Sequence, residues 1–253
     1  MFKIKYFITK YISYILSILS FKKNNNVFLL YHKIYDEDDF TEQIDINCVE
    51  KKKFEKQCFF LKSFYQERIS DLKSNCNKKG SITITFDDGH ISIINHVLPI
   101  IEKYKIPIIV FICPELIGKP NYLSIEDLKI LNNSNLVEIG SHGYKHVRYS
   151  DFDISSFQSH MKMMNKWFKD KINEDKLAFS FPFGSYNFDI LKFINEKNFF
   201  EFCFSSEFRT QNFKDFNKKL IPRIQVWDID NLSVFKNKID GHWDWVSKLV
   251  SYG

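Results

Sequence analysis

Short apolar runs rich in β-branched and aromatic residues alternate along this chain with longer segments of helical periodicity, and this alternation constrains the fold most strongly. Continuously apolar runs are typical of strands buried on both faces of a parallel sheet, with helices as the connections. The predicted strands are residues 27–31, 81–86, 107–112, 136–140, 177–181, 200–204 and 220–226, and the predicted helices are 49–65, 91–104, 124–132, 154–171 and 187–197. The pattern predicts an α/β fold with about seven parallel strands.

An open doubly wound sheet and a closed (β/α) barrel both fit this alternation. No G-x-G-x-x-G or G-x-x-x-x-G-K-[ST] stretch follows a predicted strand, which removes the usual reason to prefer the nucleotide-binding open sheet. The length of 253 residues also suits a single barrel. We therefore favour a barrel, whose chemistry would collect at the carboxyl ends of its strands.

Composition narrows the classes of partner and compartment. The formal charge of +5 arises from 36 basic and 31 acidic residues spread along the chain, which argues against nucleic-acid binding. The five cysteines are irregularly spaced and never form C-x-x-C, so we expect reduced thiols rather than a disulfide framework or a thiolate zinc site.

The first 24 residues differ from the rest and are predicted to be an N-terminal amphipathic or apolar segment, followed by a catalytic domain over residues 25–253. The apolar stretch 11–21 is too short to span a bilayer and lacks a small-residue cleavage pattern. A helix that lies on a membrane face or packs on the body is favoured over a cleaved signal. The expected location is cytoplasmic or membrane-associated, with a secreted form left open.

Two adjacent carboxylates, Asp87 and Asp88, end the second predicted strand. Neighbouring like charges on a buried strand are unfavourable unless a cation or donors offset them. A helix cap would explain one of the two but not both, and Gly89 permits a sharp exit that lets both reach one cavity. After the fourth strand, His142 and His146 are four residues apart, a spacing that lets both imidazoles reach one ion.

These residues carry a resemblance to a known family. "TFDDG" (85–89) and "SHGYKH" (141–146) resemble the first two motifs of the polysaccharide deacetylases, the nodulation-type deacetylases of carbohydrate esterase family four. These are metal-dependent de-N-acetylases and esterases on a distorted (β/α) barrel. "SFPFG" (180–184) matches their third motif, R-x-P-[YF]-G, in part, and the resemblance covers about residues 27–226.

The resemblance implies roles for these residues. Asp88, His142 and His146 would be the ligands of one divalent metal ion, most simply Zn²⁺, with Co²⁺, Ni²⁺ or Mn²⁺ also compatible, and Asp87 would be the general base. In the third motif, Pro182, Phe183 and Gly184 would meet the substrate, and the backbone N–H of Phe183 would stabilise the oxyanion.

The chain departs from the family pattern at several positions. Gly143 stands where the second motif usually has Ser or Thr, and Ser180 stands where the third motif often has an arginine that orients the base. Arg223 at the end of the seventh strand is predicted to reach the base instead, because its planar fork suits a carboxylate.

The general acid of the family is a histidine that ends a strand near the C-terminus. Here His32 ends the first strand in "FLLYH", as in members whose motifs run in circularly permuted order, and His242 in "DGHWDW" is the second choice because it is predicted to begin a C-terminal helix. First and last strands of a barrel are neighbours, so either order gives the same geometry.

The implied reaction is removal of an N-acetyl group from a carbohydrate, either a cell-envelope polysaccharide or a glycolipid. An O-acetyl esterase and a non-catalytic sugar-binding barrel remain alternatives. A phosphatase of the haloacid dehalogenase type is disfavoured, since it needs D-x-D rather than adjacent aspartates.

Overall fold

The computed structural model describes residues 2–19, 23–38, 44–173 and 178–249. Its strands are β1 Val27–Tyr31, β2 Lys33–Tyr35, β3 Cys48–Glu50, β4 Ile82–Phe86, β5 Ile108–Ile112, β6 Val137–Ser141, β7 Ala178–Ser180, β8 Phe202–Phe204 and β9 Ile224–Gln225. Its α-helices are α1 Phe2–Leu19, α2 Lys51–Phe64, α3 Leu72–Asn77, α4 Leu98–Tyr104, α5 Ile125–Asn132, α6 Ile154–Ile172, α7 Phe188–Lys197 and α8 Leu232–Ile239.

Seven strands form one parallel sheet in the order β8-β7-β6-β5-β4-β1-β9. The segment that leads into β9 also pairs with β8, through a parallel bridge between Phe204 and Ile221. The two edges of the sheet are thereby joined through residues 221–225, and the sheet curls into the distorted barrel that the sequence predicts. All five residues of β1, β4 and β5 are buried, as strands covered on both faces should be.

All seven predicted strands are confirmed, although the first residue of the fifth prediction, Leu177, lies outside the described residues. The seventh predicted strand, residues 220–226, is much shorter in the structure, where β9 contains only Ile224–Gln225. Pro222 has no N–H to donate to a ladder, and Ile221 before it pairs with β8 rather than β1, so regular pairing with β1 begins at Ile224.

The predicted helices are also confirmed, with one change of geometry. Residues 91–104 are not a continuous α-helix, because Ile93–Val97 form a π-helical turn before α4. α5 begins at the predicted capping box, in which Ser124 Oγ accepts from the Asp127 N–H and the Asp127 carboxylate accepts from the Ser124 N–H. The short pair β2–β3 and the helices α3 and α8 have no counterpart among the predicted elements.

The N-terminal helix α1 packs on the body through Tyr6, which is buried against Trp227 and Trp243. Across the described residues, no helix combines the length and apolar character that crossing a bilayer requires. All five cysteines are free and buried, as expected from their spacing. The division of the chain at residue 24 stays a prediction.

Candidate active site

Asp87 and His142 follow the carboxyl ends of β4 and β6, one residue beyond the regular ladders, whereas Arg223 directly precedes β9. The Asp87 N–H donates to the Tyr31 carbonyl at 3.0 Å, and the His142 N–H donates to the Ile112 carbonyl at 2.8 Å. These extra bonds fix the first residue after β4 and after β6. The side chains of Asp87 and His142 therefore extend from a rigid sheet rather than from an irregular loop.

The chain turns sharply after Asp87, which is how two consecutive carboxylates come to face one cavity. Asp88 has φ 72° and Gly89 has φ 74°, so both residues lie in the left-handed region. Aspartate tolerates this region better than most residues, and glycine adopts it without steric cost. The turn that Gly89 was predicted to permit thus begins one residue earlier, at Asp88 itself.

Asp88, His142 and His146 form a cluster in which the three potential ligand atoms lie within 4.8 Å of one another. Asp88 Oδ1 is 3.1 Å from His146 Nε2 and 3.4 Å from His142 Nε2. Among the described residues this oxygen nevertheless has no hydrogen-bond partner. Three potential ligand atoms that converge in this way could hold one divalent metal ion.

The tautomer of His142 supports the same conclusion. Its Nδ1 lies 2.9 Å from the Ser180 carbonyl oxygen, which can only accept, so Nδ1 carries the proton. The unprotonated Nε2 then directs its lone pair at the cluster. A backbone carbonyl on the far nitrogen is the usual support of a metal-binding imidazole, so the donor set fits a metal ion.

Asp87 is held by Arg223 through a two-pronged contact. The guanidinium donates to Oδ1 at 2.7 Å and to Oδ2 at 2.8 Å, and both side chains are buried. Burial alone would raise the pKa of Asp87, but the charge and hydrogen bonds of Arg223 outweigh it and hold the pKa below its ordinary value. Asp87 is therefore an ionised and firmly oriented carboxylate beside the cluster.

Ser180 completes this arrangement. Its hydroxyl lies 2.8 Å from Arg223 Nη2 and 3.2 Å from Asp87 Oδ2, while Arg223 Nε donates to the Ser205 carbonyl at 3.0 Å. The small side chain leaves room for the guanidinium that arrives from before β9. The structural role of Ser180, whose carbonyl also orients His142, was not foreseen from the sequence.

His32 lies in the same electrostatic neighbourhood and His242 does not. Burial lowers the pKa of His32, and the nearby carboxylates of Asp88 and Asp87 oppose this shift. Its Nδ1 is buried without a hydrogen-bond partner in the described part of the chain. The charges on His242 belong instead to Asp240, Lys236, Lys23 and Asp244, and the ring follows α8 in a turn rather than beginning an α-helix.

The third motif forms a tight turn at the rim of the cluster. Residues Pro182–Gly184 make a single 3₁₀ turn with Phe183 at φ 59°, and the Phe183 ring is 53% exposed. That ring lies 4.4 Å from the His146 ring, measured between centroids, and the Arg148 guanidinium lies 4.9 Å from its centre. Nothing in the sequence singled out Arg148, one of four arginines in the chain, as a residue of the site.

Gly143, the departure in the second motif, has a packing reason. Its φ is 77°, and a Cβ atom there would come within 2.5 Å of the Tyr149 hydroxyl oxygen. The Ser or Thr usual at this position would collide with a buried tyrosine.

An α/β barrel whose strand ends gather an Asp-His-His cluster and an arginine-held carboxylate defines a hydrolase-type site. The family model described as polysaccharide deacetylase matches residues 74–200, half of the chain, and the chain belongs to this family. The match includes the cluster, Asp87 and residues 180–184, whereas His32 and Arg223 lie outside it.

Individual relatives agree with this assignment. YxkH of Bacillus subtilis, which carries the name of the same family, is 26% identical over 171 residues, covering 65% of this chain and 58% of that protein. The poly-beta-1,6-N-acetyl-D-glucosamine N-deacetylase of Staphylococcus aureus (strain MRSA252) is 25% identical over 240 residues, covering 83% of this chain and 81% of its own length.

Solved structures share the fold. The deacetylase PplD of Streptococcus pyogenes, solved with acetate, superposes with a TM-score of 0.72 at 17% identity and covers 85% of this chain and 98% of its own. IcaB of Ammonifex degensii gives a TM-score of 0.70 at 18% identity, over 87% and 99% of the two chains. The predicted distorted barrel is thereby confirmed.

Proposed function

We propose that this chain is a divalent-metal-dependent hydrolase that removes N-acetyl groups from a glycan, either a polysaccharide or a glycolipid, and releases acetate and a free amine. The observation that carries the proposal is the convergence of Asp88, His142 and His146 beside the arginine-held Asp87. The relative that is named for poly-β-1,6-N-acetylglucosamine makes that polymer the first substrate to test.

Asp88 Oδ1 and the Nε2 atoms of His142 and His146 would hold the metal ion. A Zn²⁺ ion there would supply Lewis acidity that lowers the pKa of water from about 15.7 to about 7. Asp87 accepts the proton of the attacking water as the water oxygen bonds to the acetyl carbon. The Arg223 fork keeps Asp87 ionised and aimed for this step.

The leaving nitrogen needs a proton because an amide anion is a very poor leaving group. His32 donates that proton as the bond between the carbonyl carbon and nitrogen breaks, so the amine departs neutral. The backbone N–H of Phe183 is the proposed donor to the oxyanion, a contribution of about 3 kcal/mol in comparable sites. The exposed Phe183 ring beside His146 offers an apolar surface against which a sugar ring can lie.

The experiment measures acetate released from oligomers of β-1,6-N-acetylglucosamine and from a panel of other N-acetylated glycans and glycolipids. Activity should disappear with a chelator, return with Zn²⁺, and be abolished in His142→Ala, which should also lose stoichiometric metal. Absence of release from every substrate, or full activity of metal-free protein, would contradict the proposal.

Two histidine substitutions separate amide from ester chemistry. We expect His32→Ala to lower amide cleavage at least about 100-fold while largely sparing hydrolysis of an aryl acetate, whose leaving group needs no proton. His242→Ala is the matched control and should leave both activities unchanged. Equal loss of both activities in His32→Ala would rule out its role as the acid.

A further inference from the structure

Helix α1 presents an apolar face to solvent. Its exposed large apolar residues form two parallel rows with the spacing i, i+4, i+7, i+11, which places them all on one side of the helix. Their exposure ranges from 37% at Ile12 to 77% at Leu19. The rows are Phe7, Tyr11, Tyr14 and Ile18, and Ile8, Ile12, Ile15 and Leu19.

The opposite side of α1 holds the helix to the barrel through hydroxyl groups. Tyr6 is buried and its hydroxyl donates to Asp230 Oδ1 at 2.8 Å. Ser13 is fully buried and its Oγ accepts from Trp245 Nε1 at 3.2 Å. A surface helix of a globular protein normally buries its apolar stripe and exposes its polar one. In α1, by contrast, the apolar rows face solvent and the side with the buried hydroxyl groups faces the protein body.

The charges of residues 1–24 indicate which kind of surface covers the apolar face of α1. Residues 1–24 contain five lysines (Lys3, Lys5, Lys10, Lys22 and Lys23) and no aspartate or glutamate. Apolar side chains in a segment with cationic residues alone suit a bilayer surface that carries anionic lipid. Tyr11 and Tyr14 add rings with a polar tip, which favour the level of the headgroups. A second copy of the segment would instead bring lysines against lysines.

We propose that α1 docks this protein on the surface of an anionic lipid bilayer, with the two apolar rows inserted at the headgroup level. Tyr6 contacts Ile229 and Asp230, which follow the carboxyl end of β9, and Asp87 follows the carboxyl end of β4, two strands away in the same parallel sheet. The first turns of α1 thus lie at the end of the barrel that carries the candidate site. Docking holds that end close to the lipid surface, whatever substrate the site takes.

Co-sedimentation of the full chain with vesicles tests the proposal. We expect binding to vesicles of phosphatidylcholine with phosphatidylglycerol, much weaker binding to phosphatidylcholine alone, and release by high salt. Ile18→Asp should weaken binding at least about tenfold, because it places a charge where an apolar side chain inserts. Ile18 is 66% exposed, so the fold is unaffected.

Phe188→Asp is the matched control, since Phe188 is 78% exposed at the start of α7 and a carboxylate is favourable at a helix N-terminus. It should bind vesicles like the wild type. Absence of vesicle binding, or equal binding of wild type and Ile18→Asp, overturns the proposal. So does a dimer in light scattering that Ile18→Asp converts to a monomer without any vesicle binding, since α1 would then be covered by a second copy.

Discussion

Asp87 and Asp230 are buried carboxylates that each contact a buried cation, and the two differ in what else lies beside them. Asp87 and Arg223 lie at the candidate site, whereas Asp230 and Lys238 lie beneath α1, among Trp227, Phe208 and Trp243. In each pair the aspartate follows the carboxyl end of a strand, and all four side chains are buried.

Asp230 is enclosed by fixed donors. Its oxygens accept from the Tyr6 hydroxyl, the Trp227 N–H and Lys238, and the Lys238 ammonium lies 3.8 Å from the centre of the Trp227 ring. Asp87 also accepts three hydrogen bonds, two from Arg223 and one from the Ser180 hydroxyl, but it borders the Asp-His-His cluster, with its Oδ2 3.8 Å from His142 Nε2. A buried carboxylate with structural donors alone serves the fold, whereas one that also borders a cluster of potential metal ligands is placed to take a proton there.

The largest difference is expected when each carboxylate becomes an amide. Asp87→Asn should lower acetate release about 1,000-fold per folded molecule, because the base is lost. Asp230→Asn should change it by less than about threefold, and circular dichroism would give the folded fraction for both. Equal losses of activity in the two variants would erase the functional contrast between the pairs.

Removal of the lysine tests the structural side of the contrast. Lys238→Met should lower the free energy of unfolding by about 3–5 kcal/mol in urea, because Asp230 stays buried without its cation. Lys103→Met, which breaks an exposed pair with Glu55, should cost less than about 1 kcal/mol. A loss for Lys238→Met no larger than for this control would show that the pair contributes nothing to stability.

The same variant should alter the pH dependence of stability. Burial lowers the pKa of Lys238 from 10.5 to about 8. Between these pH values the folded chain has released a proton that the unfolded chain still binds, so the wild type gains stability relative to Lys238→Met as pH rises from about 8 to 10.5.

The smallest effect is expected from exchanging the two kinds of cation. Arg223→Lys should lower kcat about 10- to 100-fold with little change in KM, because an ammonium cannot bind both oxygens of Asp87 in one plane. Lys238→Arg should leave kcat within about twofold and cost about 1–3 kcal/mol of stability through overpacking. If Arg223→Lys kept full kcat, the planar fork would not be what positions the base.

The pattern of apolar runs predicted the seven strands because burial on both faces leaves a continuous signature in the sequence. The site residues at the strand ends followed from charges that a buried strand does not otherwise tolerate. The contact of Ser180 with Arg223 joins positions 43 residues apart. Local sequence spacing does not encode such a contact. The family resemblance showed only that Ser180 replaces the usual arginine, and not that a small side chain there makes space for Arg223.

Other features depended on tertiary contacts that periodicity does not report. Tyr149 requires glycine at position 143, but nothing near the motif in sequence indicates which side chain fills that space. The sequence also did not predict which face of α1 packs on the protein body. An amphipathic pattern shows only that two faces of a helix differ. The pair β2–β3 is too short to leave a pattern.

The guanidinium of Arg223 contacts Asp87, Ser180 and Ser205, which precede it by 136, 43 and 18 residues. During synthesis the ribosome adds all three of these residues before it adds residue 223. A nascent barrel that already contains Asp88, His142 and His146 still lacks the group that aims its base. The order of translation therefore leaves Asp87 without its orienting partner until residue 223 has been added.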